Sequence, residues 1–297
     1  MARGRARLWC LLLAWAALAV VSLLVGTTGV GLADYWRQSA ATEHRWTEFV
    51  RSLADLPLPR LLLGTLAGAA LSVAGAMFQA LFRNPLASPY TLGVSSSASL
   101  GAAVAIAVFG TGVWHGFSVV SAAAFAGAIV CVSIVYVISG VVRHHGAAAL
   151  LLAGLTLGFL TSALVVLIMY LAEIRDADRI LRWMMGSLEI VGLAPIYEVL
   201  ALTAVAGGVA AWLHRDLDLF MMGEQLAASR GVSLRWSRRL IYFSASLLTA
   251  GVVAHCGPIG FVGLLVPHIC RALVGPTHHR LLPACAFVGA IFLPFCD

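Results

Sequence analysis

The side chains in this sequence that could do chemistry are histidines, cysteines, serines and arginines, and their spacing argues against catalysis. His268 follows Pro267 and lies three residues before Arg271. An isolated histidine can ligate haem iron, but a packed histidine beside a helix break is the stronger reading here. His144-His145 and His278-His279 fall at loops and read as solvated polar residues, and no H-E-x-x-H spacing occurs. The six cysteines, Cys10, Cys131, Cys256, Cys270, Cys285 and Cys296, lie within or at the edge of apolar runs without C-x-x-C spacing. They read as small buried apolar residues. Ser95, Ser96 and Ser97 lack the G-x-S-x-G setting of an activated serine. All 19 basic residues are arginine. Without lysine there is neither a P-loop for nucleotide phosphates nor a Schiff base. No catalytic set, metal site or cofactor is expected in this chain, and any use of ATP requires another subunit.

Two further groups of residues are polar or conformationally special without being catalytic. Gln79, Asn84, Pro85 and Ser95 surround one Pro-containing interruption, Arg83-Asn84-Pro85-Leu86-Ala87-Ser88-Pro89-Tyr90. Gly257, Pro258 and Gly260 form a second, followed by Pro267 and His268. These residues predict broken or short helices. Irregular backbone at membrane depth is tolerated where it is buried in protein or lines a cavity. They are therefore candidates for a translocation path. Elsewhere, Gly223 and Gly231 bracket Glu224 and Arg230 in a stretch that reads as a short helix between two apolar runs.

The elements that carry these residues are membrane-spanning helices. The chain is 61% hydrophobic and 11% charged, whereas a soluble domain carries about 25% charged residues. Apolar runs cover about 8–32, 58–82, 93–110, 118–141, 147–171, 190–213, 240–256, 258–275 and 281–296. A bilayer core of about 30 Å takes about 20 residues of helix, and these runs are too long and unbroken for barrel strands. The fold class is thus all-α, a polytopic bundle with nine predicted transmembrane helices in a single domain over 1–297. Gly64 and Gly68, and Gly154 and Gly158, have the four-residue spacing that lets helices approach closely in lipid.

Arginine placement sets the orientation. With the N-terminus inside, the inner segments carry Arg3, Arg5, Arg7, Arg83, Arg143, Arg215, Arg230, Arg235, Arg238, Arg239, Arg271 and Arg280 against Asp216, Asp218 and Glu224. The outer segments carry most of the acids, so the positive-inside rule places the N-terminus in the cytoplasm. The net charge of +6 is then a topology signal, and nucleic acid is not an expected partner. The first run follows Arg3-Gly-Arg5-Ala-Arg7 and is longer than a signal-peptide core, so it reads as a retained helix.

The same segments closely resemble the FecCD family, the permease subunits of ABC importers for iron chelates, haem and cobalamin. The matching stretches are Leu58-Pro59-Arg60, Gln79-Ala80-Leu81-Phe82-Arg83-Asn84-Pro85-Leu86-Ala87, Leu92-Gly93-Val94-Ser95-Ser96 and Trp183-Met184-Met185-Gly186-Ser187-Leu188. They continue with Gly223-Glu224, Arg230-Gly231-Val232 and Gly257-Pro258-Ile259-Gly260-Phe261-Val262-Gly263-Leu264-Leu265-Val266-Pro267-His268, then His279-Arg280-Leu281-Leu282-Pro283. The resemblance implies ten transmembrane helices per subunit and a second permease subunit, in a homodimer or heterodimer, around a central path. It further implies two cytoplasmic ATPase subunits and an extracytoplasmic binding protein, in a bacterial inner membrane. It assigns the segment at about 216–239 to ATPase coupling through Gly223, Glu224, Arg230 and Gly231, and Arg60 to docking of the binding protein.

Two departures from the family pattern carry expectations. The pattern Arg-Leu-Pro-Arg is here Pro57-Leu58-Pro59-Arg60, so Arg51 or Arg175 is expected to share the docking role. The chain stops at Asp297, which implies a shortened ninth helix, no tenth, and a truncated frame or fragment. A carboxylate at membrane depth there would cost about 2.5–3.5 kcal/mol. The functional expectation is ATP-driven alternating access that moves an iron(III) siderophore or related metal chelate, with haem and cobalamin as alternative cargoes. An ion-coupled secondary transporter is the alternative class. It needs intramembrane ionisable groups, and no acid except Asp297 lies well inside an apolar run.

Overall fold

The computed structural model describes residues 57–297 apart from 111, 115–116, 142–145, 189 and 191. The expected helix at 8–32, Arg51 and the N-terminal arginines lie outside the described residues. Every other apolar run forms a helix in register with the sequence reading. They are α1 (Pro57–Phe82), α2 (Val94–Phe109), α3 (Val119–Val141), α4 (Gly146–Leu171), α6 (Ala194–Trp212), α9 (Leu234–Cys256), α10 (Val262–Val274) and α11 (His278–Cys296). Three further helices lie at the ends of these: α5 (Ile174–Met185), α7 (His214–Met222) and α8 (Glu224–Ser229). A two-residue hairpin, β1 (Val113–Trp114) against β2 (Phe117–Ser118), joins α2 to α3. The chain is a polytopic helical membrane bundle. Six of its described helices are long and apolar enough to span, and α2 and α10 are shorter apolar helices.

Burial divides the bundle into centre and periphery. The most apolar stretch of α1 is 78% buried and that of α9 72%, while that of α4 is 17%. Helix α1 packs against α6, α9, α10 and α11, and α2 packs between α3 and α4. In lipid there is no hydrophobic gain from burying one apolar helix on another, so close backbone approach does the work. The glycines supply it. A Cβ on Gly68 would strike the carbonyl of Gly289 in α11, and one on Gly75 would strike that of Gly263 in α10. Gly154 of α4 packs on Leu92, and Gly158 on Gly93. Gly64 likewise faces Leu188 and Pro294.

Three sequence expectations change. Helix α9 begins at Leu234 rather than near 240, so Arg235, Arg238 and Arg239 belong to a spanning helix. Arginine is a good helix former, and long basic side chains at a helix end reach out to the interface while their stems stay in apolar surroundings. Pro267 does not break α10 but sits inside it, as Pro283 and Pro294 do in α11. Asp297 is not an uncompensated charge. Arg60 donates to it from Nε at 2.5 Å and from a terminal nitrogen at 2.7 Å, a two-point pair that offsets its desolvation.

Candidate functional site

The two interruptions meet against the middle of α1. Residues 83–88 leave the helix through Arg83, whose φ is 50°. The Asn84 side-chain oxygen accepts from the Leu86 N–H at 2.9 Å, an Asx turn that fixes the exit. A 3-10 turn at Pro89–Leu92 follows. Across from it, α9 ends at Cys256 and the chain is unwound through 257–261 before α10. Gly263 packs on Pro89 and on the carbonyl of Leu71, and Gly260 faces the ring edge of Tyr90. The loop that follows α5 also arrives here, with Ser187 N–H donating to the Cys256 carbonyl at 2.8 Å. Phe261 closes the unwound stretch in the left-handed region, φ 65°, and is 81% exposed. A non-glycine residue held there costs on the order of 1–3 kcal/mol, a feature that clusters at functional sites.

Gln79 bonds α1 to this junction. Pro267 has no N–H to return to the carbonyl of Gly263 four residues back. The Gln79 amide nitrogen instead donates to the carbonyls of Gly263 and Leu264, each at 3.4 Å. The Gln79 oxygen accepts from Arg271 at 2.5 Å. One buried side chain therefore satisfies a carbonyl opened by proline and a half-buried guanidinium.

The residues expected along a path separate by accessibility. Pro85 and His268 are exposed, and Asn84, Pro258 and Gly260 are half-buried. Gln79, Ser95, Gly257 and Pro267 are buried within the subunit. Ser95 Oγ is buried and has no hydrogen-bond partner. The physical reason is packing: helices that approach at glycine distance close over whatever lies between them. Pro89, Tyr90 and Phe261 lie in the stretches marked by sequence but were not among its path candidates, because only the fold brings 89–90 beside 260–263. The pairing of Glu198 in α6 with His255 of α9 at 3.0 Å was also not anticipated from sequence.

At the arginine-rich end, α8 has the anticipated form. Gly223, φ 118°, and Gly231, φ 84°, bracket Glu224–Ser229. These backbone angles strain any residue with a Cβ, so glycine lets the chain turn sharply on both sides of one short helix. Ala227 is buried beneath it, while Met222, Leu226, Arg230 and Trp236 are exposed. Arg238 donates to Glu224 at 2.7 Å. The segment is pinned beneath as well. Ser237 donates to Asp216 at 2.5 Å, and Asp218 accepts from both the backbone N–H and Nδ1 of His278, at 2.8 and 2.7 Å. Gly223 lies beside the Arg83 guanidinium, which puts α8 next to the start of the Asn84-Pro85 turn.

At the opposite end, Arg60 is engaged with Asp297 and is 21% exposed. Arg175 is exposed on α5. The other α5 arginines pair along their own helix, Arg179 with Asp176 at 3.0 Å and Arg182 with Asp178 at 2.8 Å. No group of three or more His, Cys, Asp or Glu side chains positioned to hold a metal occurs among the described residues.

Comparison with known proteins adds sequence and fold relatives. The FecCD transport family model matches residues 12–297. The cobalamin import system permease of Halobacterium salinarum is 40% identical over 249 residues, which cover 82% of this chain and 65% of that protein. An uncharacterized ABC transporter permease of Bacillus subtilis is 36% identical, covering 84% and 70% respectively. The vitamin B12 import system permease of Salmonella newport is 38% identical, covering 82% and 73%. The chain thus spans about two thirds of the length of these relatives. Among solved structures, a metal-chelate type ABC transporter in an inward-facing conformation superposes with a TM-score of 0.85 at 29% identity, over 99% of this chain and 89% of that one. PsaBC of Streptococcus pneumoniae shares the fold at a TM-score of 0.58 and 16% identity.

Proposed function

Since the chain belongs to the FecCD transport family, we propose that it is the membrane-spanning permease subunit of an ATP-driven importer for a metal chelate. The observation that carries this reading is the placement of α8. It is a short helix with a glycine turn at each end, set at the arginine-rich end with the Arg83 guanidinium beside Gly223. In this reading the arginine-rich end faces the cytoplasm, and α8 with Met222, Leu226, Arg230 and Trp236 receives a separate ATPase subunit. ATP is bound there and not by this chain, and an ATP-bound ATPase pair favours one of two bundle states. Pro85, Tyr90, Pro258, Gly260, Phe261 and His268 border the cargo path between two permease subunits. The Arg60 end receives an extracytoplasmic binding protein, with Arg175 contributing. The membrane is the bacterial inner membrane, with the N-terminus inside.

A corrinoid is the cargo best supported, because the cobalamin permeases of Halobacterium salinarum and Salmonella newport are 38–40% identical to this chain. An iron(III) siderophore is the second reading, favoured by the fold match to a metal-chelate type transporter. The test is co-purification of the cognate ATPase through a tag on the permease, followed by uptake of radiolabelled cobalamin and of a ferric siderophore into proteoliposomes. Retained ATPase with ATP-dependent uptake of one cargo supports the reading. No ATPase on the permease refutes it and leaves an ATP-independent role.

A further inference from the structure

We infer that the Asp218–His278 pair is the link that carries movement of the docking helix α8 into α11 and the central helix α1. This rests on the proposed docking of an ATPase at α8 and extends it to how the push is transmitted.

Helix α8 is flanked by glycine turns, so by itself it would give way when pushed. Its attachments decide where force goes. Two of them, Arg238 to Glu224 and Ser237 to Asp216, tie the segment to the first turns of α9, which is its own continuation in the chain. The pair with His278 spans 60 residues and reaches a different helix. One Asp218 oxygen accepts both the first N–H of α11 and the ring Nδ1–H. An ionised carboxylate has only acceptors, which fixes Nδ1 as a donor. His278 is fully buried, and α7 itself packs against both α11 and α1. On the next turn toward the N-terminus of α7, the His214 ring meets His279 edge to face at 5.9 Å. Leu217 and Phe220 are buried beneath the same helix. Helix α7 is therefore a short lever, seated on an apolar fulcrum, with α8 at one end and a buried charge-assisted clasp on α11 at its middle. Asp218 and His278 are positioning residues: their part is to tie α7 to α11.

The experiment compares the full chain with Asp218→Ala and Asp218→Asn in nanodiscs. Hydrogen exchange on the permease alone comes first. Asp218→Ala is expected to speed exchange at residues 277–282 about tenfold, the scale of one lost hydrogen bond to a charged group. Asp218→Asn, which keeps an acceptor oxygen, recovers most of the protection. With the cognate ATPase added, Asp218→Ala retains the ATPase and its hydrolysis while cargo moved per ATP falls about tenfold, and Asp218→Asn restores the ratio. Unchanged exchange at 277–282 overturns the link. So does a parental ratio of cargo to ATP in Asp218→Ala, or loss of ATPase retention and transport together, which marks a purely structural role. A parent chain that retains no ATPase refutes the proposed function itself, and the inference falls with it.

Discussion

Replacing Gln79 with Leu tests the junction most directly. The substitution keeps the volume but removes both polar atoms, leaving the Gly263 carbonyl opened by Pro267 and the Arg271 guanidinium without their partner. An unsatisfied buried polar group costs about 1–3 kcal/mol and bonds to charged groups lie near the top of that range. The two losses share one side chain and are not additive, so Gln79→Leu is expected to destabilise by about 2–4 kcal/mol. The decisive arm is Pro267→Ala, which returns an N–H to α10 and lets Gly263 close its own helical bond. In the double substitution the carbonyl is satisfied again, so Gln79→Leu should cost less by about 1 kcal/mol. The assay is reversible unfolding in mixed micelles, followed by helical circular dichroism and by fluorescence of the chain's eight tryptophans. A Gln79→Leu cost that is the same with and without the proline refutes the claim that Gln79 fills the opened rung. Gln79→Glu separates the remaining contact: it keeps the acceptor for Arg271, loses the donor to Gly263, and should fall between parent and Leu.

Three further outcomes follow from packing and exposure. Gly75→Val places atoms on the carbonyl of Gly263 and should prevent α1 from closing on α10, read as loss of monodisperse protein and a destabilisation above about 3 kcal/mol; normal stability would mean the helices sit further apart. Maleimide should label Cys296 rapidly, and Cys131, Cys256, Cys270 and Cys285 only after denaturation, because Cys296 is the exposed one among the described cysteines; rapid labelling that survives Cys296→Ser at any of the other four would contradict the packing. Asp297→Asn removes the negative charge that Arg60 pairs with and should cost about 1 kcal/mol, seen as a small shift in the unfolding midpoint; an unchanged midpoint would show that the pair contributes nothing to stability.

Sequence by itself determined the membrane class and the helix positions of the described chain. Apolar runs need only composition and length to become spanning helices, because in lipid each run must satisfy its own backbone. The special glycines were also legible. Gly223 and Gly231 marked the ends of α8, and Gly154 and Gly158 marked a face for close approach, since those properties belong to the residue type and its spacing. The Gly257-Pro258 interruption was legible for the same reason. What only the tertiary structure decided is partnership. Nothing local to Gln79 says that it completes a helix rung almost two hundred residues later, and nothing near Asp218 says that it caps His278. Nothing local to Arg60 says that it meets Asp297, and nothing local to Glu224 says that it meets Arg238. Pro267 looked like a break because the sequence shows the missing N–H but not the side chain that replaces it. A polar group in an apolar bundle must find a partner wherever the fold brings one within about 3 Å, and that search is settled by helix packing, not by distance along the chain.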